Sequence, residues 1–277
     1  MRIQAAPEGT AEKFRPKRNE SMKIIVLVKQ VPDTGEERKL DPTTGWLDRQ
    51  ASDPIADEIN ERALEVALQY KDSDKKTEVV VLSMGPTDAT QAMRKALSMG
   101  ADSAVHVLDD GLAGADVTRT AAALAAAVKL TGFDVVIAGN ESTDGRAGVV
   151  PAMIAEHLGL PLLGSLLSAD IQEGSVSGER QGDDGTFNVH APLPAVVTVT
   201  ERSAEARFPN FKGIMTAKKK PVTVLSLGEL GISAPAEGRS VIVSVGERPP
   251  RAAGKKIVDD GNAAAELAEF LVAGRLV

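Results

Sequence analysis

Four short runs of consecutive apolar, mostly β-branched residues mark the first half of the chain: Ile24 to Val28, Val79 to Leu82, Ser103 to Leu108 and Val135 to Ala138. A continuous apolar run, unlike an alternating one, is the pattern of a strand covered on both faces of a parallel sheet. Between these runs the apolar positions change to helical spacing. Asp57 to Tyr70 carries Ile59, Ala63, Val66, Ala67 and Tyr70 along one side, Thr87 to Met99 opens on a polar cap, and Asp116 to Leu130 forms a third stretch. The alternation predicts βαβ units and an α/β fold with a doubly wound, mostly parallel sheet.

After Leu158 the pattern changes. Gly174, Gly178, Gly182 and Gly185 punctuate short polar strands and Pro194 to Thr200 is another β-rich run, which predicts antiparallel strands added to the sheet. Glu201 to Lys220 shows no periodicity. Beyond Ser226 the chain reads as an extended arm through Pro249, Pro250 and Gly254 to a last helix at Asn262 to Ala273. Such an arm cannot bury itself, so it lies either on its own domain or on a partner. The organisation expected is a disordered extension at 1–21, an α/β domain at 22–227 and a C-terminal arm and helix at 228–277. Met22, directly before the first strand, is expected to be the working start of the folded unit.

Composition narrows the function classes. The formal charge of −7 comes from 32 basic and 39 acidic residues spread along 277, so no basic domain points to nucleic acid. Cysteine is absent, which removes disulfides, thiolate metal sites and a cysteine nucleophile, and fits a reducing cytoplasm. No apolar run approaches the roughly 20 residues of a membrane-spanning helix, and the first 21 residues lack the apolar centre of a secretory signal.

In an open α/β sheet, ligands bind beyond the carboxyl ends of the strands, where the strand order reverses. Three strand ends carry suitable residues: Lys29 to Asp33, Ser83 to Pro86, and the loop Gly139, Asn140, Glu141, Ser142, Thr143, Asp144, Gly145, Arg146, Ala147, Gly148, Val149 and Val150. The third is the richest. Its glycines permit close backbone approach, and the helix expected from about Ala147 to Leu158 would aim amide donors at whatever the loop encloses. Arg146 could add a charge-assisted contact to a phosphate, while Ser142, Thr143 and Asn140 could serve a ribose or base. Two readings stand side by side at this point, an anion site and a glycine-rich turn that merely caps a helix.

Neither Gly-x-Gly-x-x-Gly after a strand nor Gly-x-x-x-x-Gly-Lys-Ser/Thr occurs, which speaks against a dinucleotide fold of the usual kind and against a P-loop NTPase. His106, His157 and His190 are scattered, no Gly-x-Ser-x-Gly elbow exists, and Asp183 and Asp184 fit a solvated hairpin better than a metal site. No catalytic residue and no metal site is therefore expected. Lys218, Lys219 and Lys220 read first as a solvated run. Phe208 and Phe211, in a chain with few aromatics, are either a plug into the core or an exposed protein contact.

Together these residues resemble the β subunit of electron transfer flavoproteins, nearly end to end from Met22 to Val277. The resemblance rests on Val28 to Asp33, Leu82 to Pro86, Ala96 to Asp102, Pro194 to Thr198, Ile214 to Lys220 and Pro249 to Gly254, in that order. It implies a sheet of adenine-nucleotide-binding type and a heterodimer with an α subunit that carries the redox FAD. The β subunit then holds a structural AMP. Electrons would come from acyl-CoA and related flavin dehydrogenases and pass toward a quinone reductase.

Carried over by resemblance, the AMP site comprises Leu27, Asp53, Ala56, Met84 and the loop Gly139 to Val150. Near the flavin the family often places aromatic residues where this chain has Thr34 and Ile55. Residues 201–215 correspond to the family's recognition loop, with Phe211 at its apolar tip. Two rival readings stand beside this one. Electron-bifurcating relatives hold a second FAD in the nucleotide site and often carry Asp-Gly-Asp-Thr-Ala-Gln-Val where this chain has Asp144 to Val150, a mismatch at Arg146, Ala147 and Val149 that favours AMP. The other rival is a stand-alone nucleotide-binding sensor similar to universal stress proteins, which the long arm argues against.

Overall fold

The four apolar runs become adjacent strands of one nine-stranded sheet in the computed structural model, which describes residues 21–232, 242–246, 248–251 and 253–277. The extension at 1–20 lies outside the described residues. Strands β1 (Lys23–Leu27), β4 (Glu78–Met84), β5 (Ser103–Val107) and β6 (Val135–Gly139) alternate with helices α1 (Glu58–Ser73), α2 (Thr90–Met99) and α3 (Val117–Thr131). A two-stranded ribbon of β2 (Gln30–Pro32) and β3 (Pro54–Ala56) stands between β1 and α1. The second half adds α4 (Val150–Leu158), β7 (Leu162–Gln172), β8 (Ser175–Gly182), β9 (Gly185–Pro192), β10 (Ala195–Val199), α5 (Phe211–Ala217) and β11 (Val222–Leu225).

The strand order is β11-β5-β4-β1-β6-β10-β7-β8-β9. Strands from β11 through β7 are parallel, and β8 and β9 are the added antiparallel strands. One detail differs from the sequence reading: β10 is inserted parallel between β6 and β7. Its five residues are all buried, as a central parallel strand requires.

Successive residues of β1 face opposite layers. Ile24 and Val26 pack with Ala63, Leu64 and Ala67 of α1 and Met93 and Leu97 of α2. Ile25 and Leu27 pack with Leu124 and Val128 of α3 and Ile154 and Leu158 of α4. The strand order leaves β1 flanked by β4 on one side and β6 on the other, so the reversal falls between β1 and β6.

The chain divides into two compact units, residues 1–243 and 244–277. Within the second, α6 (Ala263–Ala273) buries none of its residues, and Lys255 Nζ bonds Glu266 Oε2 at 2.6 Å. No described helix is long and apolar enough to cross a membrane.

Candidate functional site at the strand-order reversal

Leu27, Met84 and Gly139 end the three adjacent strands β1, β4 and β6. The segments leaving β1 and β6 are tied together through the start of α1. Asp57, 0% exposed, turns one carboxylate oxygen to the Ile59 and Asn60 amides as the N-cap of α1, at 3.0 and 3.3 Å. Its other oxygen accepts from the Thr143 amide at 2.7 Å and the Thr143 hydroxyl at 3.0 Å. Asn60 Oδ1 accepts from the Lys29 amide at 2.8 Å. The helix start thus fixes both loops at once.

Gly139 is required where it stands. A Cβ there would lie 2.7 Å from Asn60 Nδ2 and 2.9 Å from Ile59 Cγ2, so the loop after β6 could not approach α1 with any side chain at this position. Farther along, Arg146 at φ +48° and Gly148 at φ +65° turn the chain left-handed, and α4 begins at Val150 rather than at about Ala147. Pro151 occupies its first turn, and the N-cap Val149 supplies no side-chain bond. The first-turn amides are therefore left for something other than a cap.

Asp144 is the electrostatic centre of the loop. Its side chain is 1% exposed and takes Lys29 Nζ at 2.7 Å and Arg49 Nη2 at 3.0 Å. Burial alone would raise its carboxyl, but the Lys29 charge and hydrogen bond, the Ser142 hydroxyl and the Arg49 charge outweigh it and leave the group lowered to about 2. Lys29 Nζ also donates to Ser142 Oγ at 3.2 Å, and the Arg38 guanidinium donates to the Thr143 and Pro32 carbonyls. Arg146 points outward, 70% exposed, paired with Glu141 at 2.8 Å.

Four buried polar atoms on these segments have no partner: Ser83 Oγ on β4, Asn140 Oδ1 after β6, and Arg38 Nε and Ser52 Oγ in the stretch between β2 and β3. Buried polar groups are rarely left so, and these four lie on the segments that leave or adjoin the ends of β1, β4 and β6. Of the other expected residues, Ala56 is buried on β3 opposite Gln30 and Ile55 is partly buried opposite Val31. Asp53 is exposed just before β3, where its carbonyl accepts from the Asp33 amide, and Thr34 is exposed in the adjoining turn. Ala147 to Val149 lie on the exposed outer limb of the loop. Asp57, Asn60, Arg38 and Arg49 were not singled out in the sequence. Only Asp57 left a signal there, as a helix cap, and that signal does not show its second partner.

Away from the crevice, Phe208 and Phe211 are 91% and 82% exposed, so they are not a plug into the core. Lys220 is not solvated: its ammonium donates to the Leu97 and Ala101 carbonyls at the end of α2, and burial lowers its pKa. His106 is buried with Nε2 3.0 Å from the Gly85 carbonyl.

The strand order is that of a doubly wound α/β protein, a class whose ligands bind at the switch point of the sheet. The family model for the electron transfer flavoprotein domain matches residues 44–230. An electron transfer flavoprotein subunit beta of Mycobacterium leprae is 51% identical over 264 residues, covering 92% of this chain and 99% of the relative. Its counterpart in Mycobacterium tuberculosis is 49% identical with the same coverage. A caffeyl-CoA reductase-Etf complex subunit CarD of Acetobacterium woodii is 36% identical, covering 78% of this chain and 83% of the relative. The chain belongs to the electron transfer flavoprotein family, on its β-subunit side, and so to a family of electron carriers.

Proposed function

We propose that this chain is the non-catalytic half of an electron transfer flavoprotein, holding AMP in the crevice between β1 and β6 while an α subunit carries the FAD. The observation that supports this reading is that unpartnered buried donors and acceptors, Ser83, Asn140, Arg38 and Ser52, occur on the segments around the ends of β1, β4 and β6, next to a start of α4 without a side-chain cap. Leu27, Ala56 and Met84 would face the base, and the loop Gly139 to Val150 the phosphate. Helix amides supply dipole and donors to an anion without a dedicated basic side chain. Lys29 and Arg49 share the single carboxylate of Asp144, which leaves one net positive charge there and suits a monophosphate's modest charge better than a longer phosphate chain. Arg146, held by Glu141, would guard the rim of the pocket.

A nucleotide seated here stabilises the folded state, by about 4 kcal/mol at a thousandfold excess over its Kd. Electron chemistry belongs to the flavin. Helix α6 of the C-terminal arm, with Leu267, Phe270 and Val272 exposed, is the element that would pack on the α subunit, and Phe211 is the contact offered to dehydrogenases. Acid extraction of the native heterodimer tests the nucleotide assignment by releasing AMP alongside FAD. The bifurcating alternative draws on the relative from a caffeyl-CoA reductase-Etf complex, but that relative is 36% identical against 51% for the mycobacterial β subunit.

A further inference from the structure

The segment carrying the exposed phenylalanines is anchored on both sides. Before it, Arg62 Nη1 donates to the Ser203 and Ala204 carbonyls at 3.0 and 3.3 Å. Arg207 then closes on Glu65, a buried carboxylate of α1: its amide donates to Oε2 at 3.1 Å, Nε to Oε2 at 2.7 Å and Nη2 to Oε1 at 2.8 Å. Nη2 also reaches Asp72 Oδ2 at 2.8 Å, and these bonds raise the arginine's pKa further. Between the phenylalanines Asn210 caps α5 at the Gly213 amide, 2.7 Å away, and after them Arg94 holds the Ala217 carbonyl at 2.7 Å. A Cβ on Gly213 would fall 2.2 Å from the Ser98 carbonyl oxygen, so α5 lies directly on α2.

We infer that Arg207 and Glu65 form a positioning clasp that fixes Phe208 and Phe211 in the geometry a dehydrogenase meets. This rests on the docking reading above. An ion pair adds little net stability, whether its groups are solvent-exposed, as Arg207 partly is, or buried, as Glu65 is. It does confer fixed geometry, because three donors converge on one carboxylate and the neighbouring residue is Phe208. A loop ordered in advance spares the encounter the cost of ordering it.

The test uses the heterodimer, with an acyl-CoA dehydrogenase as electron donor. Glu65→Gln with Arg207→Gln removes both charges and leaves none buried alone. It should raise the KM for the carrier about tenfold, the size of a 1.4 kcal/mol loss, with kcat and flavin content unchanged. Combined with Phe211→Ala, it should add nothing to the effect of Phe211→Ala alone. A KM within twofold of wild type, while Phe211→Ala raises it, overturns the clasp and leaves the docking reading standing. An unchanged KM for Phe211→Ala removes the docking reading and the clasp with it. If the paired variant fails to assemble, Arg207→Lys, which keeps the charge and loses the fork, must raise KM at constant kcat, and an unchanged KM there is equally fatal.

Discussion

Replacing Asp57 by alanine removes a side chain that serves both α1 and the loop after β6. The N-cap contribution is about 1 kcal/mol. A hydrogen bond to an ionised acceptor contributes about 1.5–3 kcal/mol, and the Thr143 amide that loses it is buried. The sum is about 2.5–4 kcal/mol, which in a protein of this size lowers Tm by roughly 10 °C. Asparagine keeps an acceptor for the cap but presents an NH2 group to the Thr143 amide, so Asp57→Asn should fall between alanine and wild type. Thermal unfolding of the assembled complex at fixed concentration gives the first readout. Hydrogen exchange of the peptide 139–150 gives the second, since the Thr143 amide should lose its protection. If the alanine variant stays within about 1 kcal/mol of wild type and the loop keeps its protection, Asp57 does not join helix and loop as described.

Two further outcomes can be checked. Asp144 has its folded-state pKa lowered to about 2 from 3.8, so its ion pairs stabilise the fold above pH ~4 and that contribution is lost as pH falls toward 2. Asp144→Asn should therefore cost at most about 2 kcal/mol at neutral pH, less in high salt, with the deficit shrinking below pH 4; a deficit independent of pH would contradict this. Gly114 has φ +68°, and a Cβ there would lie 2.1 Å from Cζ2 of Trp46, the chain's one tryptophan. Gly114→Ala should shift Trp46 emission, and an unchanged spectrum would mean that the ring does not rest on this turn.

The strands around β1 were legible because each is buried on both faces, and residues such as Ile24 and Ile25 are apolar for opposite layers. The loop Gly139 to Val150 was legible through its glycines and its place after a strand. Helix α5 was not. Its seven residues bury only Ala217, and Phe211, Ile214 and Met215 are exposed, so no apolar stripe could announce it; the asparagine cap at Asn210 was the sole mark. The β2–β3 ribbon escaped because three residues a strand, with Pro32 and Pro54 among them, show no alternation. The site's second tier escaped for a different reason. Asp57 meets Thr143 across 86 positions and Arg207 meets Glu65 across 142, and a single sequence carries no sign of pairing at that range.

Whether the crevice between β1 and β6 holds a nucleotide that does no redox work can be read from what the complex releases. The most direct measurement is the identity and molar ratio of the nucleotides released by acid from the native heterodimer. FAD and AMP in equal amounts are the expected result. FAD at twice the molar amount of the complex, with no AMP, would contradict it and make the crevice a second flavin site.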